Sequence, residues 1–294
     1  MFLFIIGLFL SHNADAASCC SGGTSTTAII TNNDQAQFTA SMMFSSVHAQ
    51  ARTDGKWQKL DGDKTREIFT MEGSALLGDR TQISLSAPFQ KNSYESSTQN
   101  ANGSGVGDVK MSFAYEAVTD WDYSKYRPKI YVYSQAQLPT GKSIYETQEL
   151  EAVDSTGTGL LGLGVGAVAV KTIKKWDYNA NIFTQKLFDK SFGAIRIEPG
   201  NIYQTSVGVG YNYTAWRFGI NNLAYLQDSG KTSGMVDSKI SIERYVSSTL
   251  LVSYLYEEDL SVTASYSDQT LIGKPVNTQL SRAVFLSLQK HWPR

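Results

Sequence analysis

Between residues 105 and 141, apolar and polar positions alternate in two successive runs. In the first, Val109, Met111, Phe113 and Tyr115 alternate with Lys110, Ser112, Ala114 and Glu116. In the second, Ile130, Val132, Ala136 and Leu138 alternate with Lys129, Tyr131, Gln135 and Gln137. A period of two with one apolar and one polar face predicts β-strands. The unit recurs, and strands are predicted at about 37–53, 64–76, 80–90, 105–116, 129–138, 158–171, 175–188, 201–213, 216–227, 236–246, 249–266 and 279–292. The run at 158–171 has helix-like small-residue spacing, but it is too short to cross a bilayer as a helix. The run at 249–266 is interrupted by Glu257-Glu258-Asp259, read as a kink or bulge in one long strand; a turn there would make the count odd.

The predicted connections fall into two alternating classes. Short ones lie at 77–79, 120–125, 172–175, 214–215 and 247–248; long polar ones lie at 53–63, 91–106, 139–157, 189–200, 228–235 and 267–278. Outer-membrane barrels have this asymmetry. Trp121, Trp176, Trp216 and Trp292, with Tyr126, all fall on the short-turn side, as an interfacial aromatic girdle would. Val284, Leu286 and Leu288 lead to Trp292, the kind of aromatic-ended last strand that the barrel assembly machinery recognises. The predicted fold is therefore all-β: a transmembrane antiparallel up-and-down barrel of about twelve strands, of the Gram-negative outer-membrane type, with both termini periplasmic. A soluble sandwich or lipocalin-like barrel would use the same alternation with the apolar face inside, and periodicity does not distinguish inside from outside.

The N-terminus adds a secretion signal. Residues 2–10 form an apolar run and Ala14-Asp15-Ala16 fits a small-x-small cleavage site, so 1–16 reads as a signal peptide. Residues 17–36 then form a periplasmic tail or a plug, and 37–294 the barrel. Cys19 and Cys20 are open to lipidation, a local disulfide or free thiols.

Composition narrows the chemistry. With 26 basic and 27 acidic residues, the net charge of −1 gives no reason to expect nucleic acid. Three histidines and two adjacent cysteines leave little material for a metal site, and no cofactor motif is present. Ser46 and His48 offer the one Ser-x-His spacing that a barrel hydrolase could use; they read more simply as strand residues, and no enzyme is expected. The expected partners are membrane lipid, the assembly machinery and a small-molecule solute.

Charges within the strands should avoid lipid, where a mid-bilayer Lys or Arg costs about 2–4 kcal/mol. The predicted pore-lining set is Lys110, Glu116, Lys129, Asp177, Arg217, Lys239 and Glu243. These charges either form a selective constriction or pair with one another in an occluded lumen. The loop at 139–157 either folds inward as a lid or stands outside as a recognition surface.

Three stretches carry a family resemblance. GVGDVKMSFAYE at 105–116, LPTGK at 138–142 and GTG at 157–159, with DRTQISLSAPF at 79–89, resemble the outer-membrane barrels grouped under the meta-pathway of phenol degradation. The resemblance covers roughly residues 35–292. It implies a channel- or transporter-like barrel linked to passage of hydrophobic or aromatic compounds, with a structural or surface-interaction barrel of blocked lumen as the alternative.

Overall fold

The computed structural model describes residues 28–31, 34–119, 126–234, 237–257 and 259–294. Its strands are β1 (Asp34–Ala51), β2 (Trp57–Leu76), β3 (Thr81–Glu95), β4 (Asn100–Val106), β5 (Lys110–Val118), β6 (Lys129–Gln137), β7 (Gly162–Ile173), β8 (Trp176–Leu187), β9 (Lys190–Phe192), β10 (Ile195–Glu198), β11 (Ile202–Tyr213), β12 (Trp216–Gln227), β13 (Gly230–Ser233), β14 (Ser238–Ile240), β15 (Glu243–Tyr256), β16 (Leu260–Asp268) and β17 (Thr278–Pro293). Twelve of them form a closed antiparallel wall, in the order β1-β2-β3-β5-β6-β7-β8-β11-β12-β15-β16-β17, with β17 pairing back to β1. Closure leaves no sheet edge to face lipid, which a β-structure needs to cross a bilayer.

Exposure settles which face is outside. Val165 (59%), Ile182 (60%) and Leu250 (57%) stand on the outer surface, whereas their polar neighbours Gln135 (3%), Ser112 (4%) and Asn181 (4%) are buried inside. A belt of exposed apolar side chains on every wall strand far exceeds what a soluble surface carries, and it matches lipid instead. At the short-turn end Trp176, Trp216 and Trp292 are all half-exposed, and Trp216 packs on Tyr254 at 4.7 Å between ring centroids. Tyr126 is exposed at the same end, and Trp121 lies outside the described residues.

Several connections differ from the sequence reading. The predicted strand at 236–246 and the turn at 247–248 do not exist as such. Ser247 and Ser248 lie inside β15, where Ser247 bonds Ser267 at 2.7 Å and Ser248 donates to Asn222 Oδ1 at 2.7 Å. The turn falls instead at 257–259, with Glu257 at φ 54°. Two small polar residues resemble a turn, but here each side chain finds a cross-strand partner. The two shifts cancel and the count stays even. Most of the predicted long loops at 53–63 and 91–106 is strand, joined by tight turns at 52–56 and 96–99, so the wall rises further on that side. The loops at 189–200 and 228–240 build a second sheet, β9-β10-β13-β14.

One stave is broken. β4 and β5 both pair with β3 and are separated by Gly107-Asp108-Val109. The break sits opposite Pro88, which has no N–H to offer; its carbonyl instead accepts from Gly107 N at 2.8 Å.

Candidate functional site: the lumen

The interior is polar around most of its circumference, with an apolar surface along β6, β7 and β8. Tyr133 and Phe183 stack there at 5.7 Å and 6°, flat against β7. Gly164 and Gly166 make this possible, because a Cβ at either would sit 2.4 Å from Phe183 Cζ or 2.5 Å from Tyr133 Cζ. The glycine-rich alternation of β7 is thus a bed for two rings.

Residues 28–31 occupy the short-turn half of the lumen. Ala28 N–H donates to Glu72 Oε1 at 2.7 Å and Ile30 N–H to Gln82 Oε1 at 2.7 Å. Ser74 Oγ donates to the Ala28 carbonyl at 3.1 Å. Ile29 is buried in a cluster with Tyr131, Tyr133, Val168, Val170 and Phe183. Chain residues therefore fill part of the bore and cover the lower end of its apolar side.

The predicted lumen charges separate into distinct roles. Lys110 faces the interior in the fields of Glu72 and Asp108. Lys129 Nζ donates to the Thr31 carbonyl at 3.5 Å, holding the inserted segment. Glu116 faces inward near the short-turn end. Asp177 on β8 and Arg217 on β12 pair in a fork at 2.6 and 2.9 Å across Gly210 of the intervening β11, with exposures of only 1% and 3%, so they brace the wall and are not open to the bore. Glu243 accepts from Thr278 Oγ1 at 2.7 Å. Lys239 is a correction: it lies exposed on β14 of the second sheet, paired in register with Lys231, outside the barrel wall. His48 is exposed on β1 and has no hydrogen-bond partner among the described residues.

Several interior groups escaped the sequence reading: Arg66, Glu72, Asp108, Tyr225 and Tyr245. The alternation of Arg66, Ile68, Thr70, Glu72 and Ser74 against Phe69 and Met71 contained the signal. Charges on the opposite face, such as Glu67 above the apolar belt, obscured it.

Asp108 is the hub of the upper half. Its carboxylate, 7% exposed, accepts from Gly141 N, Thr158 N, Thr158 Oγ1, Gly159 N and Gln137 Nε2 at 2.6–3.3 Å. A Cβ at Gly157 would lie 2.7 Å from the Asp108 Cγ. The GVGD, LPTG and GTG stretches are therefore three sides of one knot. From that knot the 139–157 loop turns inward. Asn92 Nδ2 holds the Val153 and Ser155 carbonyls at 2.9 and 2.7 Å, and Val153 is wholly buried. Tyr145 stacks on Phe192 at 5.9 Å, tying the same loop to the second sheet.

Lys142 and Asp154 clasp this loop at 2.5 Å. Burial disfavours the Asp154 carboxylate, but the Lys142 hydrogen bond and charge outweigh that, and its carboxyl sits below the ordinary range. A lowered folded-state pKa contributes stability above the ordinary pKa of about 3.9, and that contribution is lost as pH falls through the lowered value. Lys142 is half-exposed, so the clasp is worth less than about 1 kcal/mol. Open-channel current noise is expected to be unchanged between about pH 7 and pH 5 and to rise only below about pH 4. Noise rising already at pH 6 would assign gating to another group.

The comparisons agree with this architecture. An outer-membrane channel from Pseudomonas putida F1 superposes with a TM-score of 0.73 at 13% identity, covering 90% of this chain and 97% of that one. The transport unit of the autotransporter AIDA-I from Escherichia coli superposes with a TM-score of 0.53 at 9% identity, covering 91% and 93%. At these identities the likeness is one of fold. No curated protein matches the sequence. The family model described as the MetA-pathway of phenol degradation matches residues 33–270, and the chain belongs to that family of outer-membrane barrels.

Proposed function

We propose that this protein is an outer-membrane channel for small, largely apolar molecules, with aromatic compounds as the favoured class. The observation that carries the reading is the apolar side of an otherwise polar lumen. Tyr131, Tyr133 and Phe183 line it below, and Leu160, Leu187 and Tyr225 pack above. A water-filled pore for ions has no use for such a surface, whereas a ring crossing a polar bore gains from it. Membership of a family named for phenol degradation supports the same class.

In this reading the short-turn end, with the start of β1 and Arg294 beside it, faces the periplasm and the long loops face outward. β17 with Trp292 serves as the assembly signal. Lipid chains fill two outer depressions of about 710 and 610 Å³, formed where Ser134, Ala136 and Gly164 thin the wall.

The test is flux of benzyl alcohol into liposomes carrying the refolded barrel. Flux well above protein-free liposomes is expected; background flux from a verified folded barrel would sink the proposal. A second reading, a structural barrel with a blocked bore, is favoured by residues 28–31 in the lumen and by the buried Asp177–Arg217 pair. The same background flux is what it requires.

A further inference from the structure

The upper lumen holds a group of side chains that the channel reading does not by itself explain. Tyr225 and Tyr245 lie opposite each other on β12 and β15, both facing inward, with ring centroids 4.9 Å apart and planes 16° from parallel. Tyr225 is backed by the apolar cluster of Leu160, Leu187 and Ile202, and its hydroxyl donates to Gln227 Oε1 at 3.0 Å. Tyr245 is the other ring of the stack. It is only partly buried, and its hydroxyl makes no hydrogen bond among the described residues.

Arg66 reaches into the same space from β2. Its Nε donates to Asn92 Oδ1 at 3.3 Å, which fixes the side chain. No carboxylate lies within ion-pair distance of its guanidinium among the described residues, whereas Lys142 pairs with Asp154 and Lys64 donates to the Glu151 carbonyl. Arg66 lies on the face of β2 that carries Glu72 and Ser74, and its partner Asn92 is buried inside the barrel, so it faces the lumen while staying accessible. Its charge acts on Tyr245 across the bore. Glu243, two residues from Tyr245 on β15, is held by Thr278 instead.

A fixed guanidinium without a counter-anion, in an enclosed space, is a costly arrangement unless an anion completes it. Its forked donors fit a carboxylate. The free face of a tyrosine stack beside it fits a planar ring. We propose that Arg66 and Tyr245 form a binding subsite for aromatic carboxylates, the ring lying on Tyr245 and the carboxylate on Arg66. The inference rests on the channel reading and narrows its substrate class to rings bearing an anionic oxygen group.

Benzoate is the probe, with benzyl alcohol as the neutral ring and cyclohexanecarboxylate as the anion without aromaticity. In the unaltered chain, liposome flux at pH 8 is expected to favour benzoate over cyclohexanecarboxylate. Arg66→Gln is expected to lower benzoate flux about tenfold, as loss of a charge-assisted hydrogen bond implies, and to leave benzyl alcohol flux unchanged. Tyr245→Leu should erase the preference of benzoate over cyclohexanecarboxylate while retaining anion passage. Equal effects of Arg66→Gln on benzoate and benzyl alcohol, or no effect on either, overturn the subsite. The benzoate preference of the unaltered chain needs no variant, so a misfolded mutant leaves a decisive measurement: absence of that preference also overturns it. Benzyl alcohol flux without benzoate preference defeats this inference alone, whereas absence of all flux defeats the channel reading beneath it.

Discussion

Deleting residues 17–31 is expected to raise the single-channel conductance of the refolded barrel several-fold. The bore of a twelve-stranded barrel is narrow, and here its lower half contains backbone. Two carboxamide and carboxylate side chains, Gln82 and Glu72, each take an N–H of that backbone at 2.7 Å, and Ile29 is sealed among Tyr131, Tyr133 and Phe183. Removing the segment returns those groups to water and widens the section where passage is tightest. Ile29→Asp tests the same point without shortening the chain. A carboxylate in that cluster costs several kcal/mol, set against the hydrogen bonds of about 1 kcal/mol each that hold residues 28–31, so the segment should loosen from the bore. If both variants conduct like the parent chain, the segment is not what limits passage.

Asp108→Ala is expected to have the largest effect on stability, lowering it by about 3–5 kcal/mol, the range for removing one partner from a buried charged network. Five donors converge on that carboxylate, and alanine leaves them buried without an acceptor. Asp108→Asn keeps the volume but turns an amide N–H₂ toward donors, so it should also destabilise. Three of the donors belong to the 157–159 turn and one to Gly141, so the inward loop should loosen and become open to protease. Urea unfolding in detergent gives the magnitude. Lys239→Ala, on an exposed strand of the second sheet, serves as the control and should stay within about 0.5 kcal/mol. An Asp108→Ala midpoint matching that control would show that the knot is not a support of the wall.

Local periodicity carried most of what the residues alone reveal. Alternation placed most of the wall strands. A register of two is imposed by the pleat, so it survives in the sequence wherever one face meets lipid. Where a strand rises above the membrane, both faces are polar and the pattern fades. That is why 53–63 and 91–106 read as loops, and why β15 was divided at two serines.

Which face is inside and which distant groups meet depend on the closed wall. The alternation is identical for a lipid-facing barrel and a soluble one turned inside out; exposure of Val165 beside burial of Gln135 separates them. The GVGD, LPTG and GTG stretches were visible as a resemblance, but nothing local says that Asp108 binds all three, because those contacts span up to 51 residues. Asp177 and Arg217, 40 residues apart, looked like pore charges until the wall placed them on β8 and β12, within bonding distance across β11. Long-range pairing is set by the closed topology, and a one-dimensional pattern does not encode it.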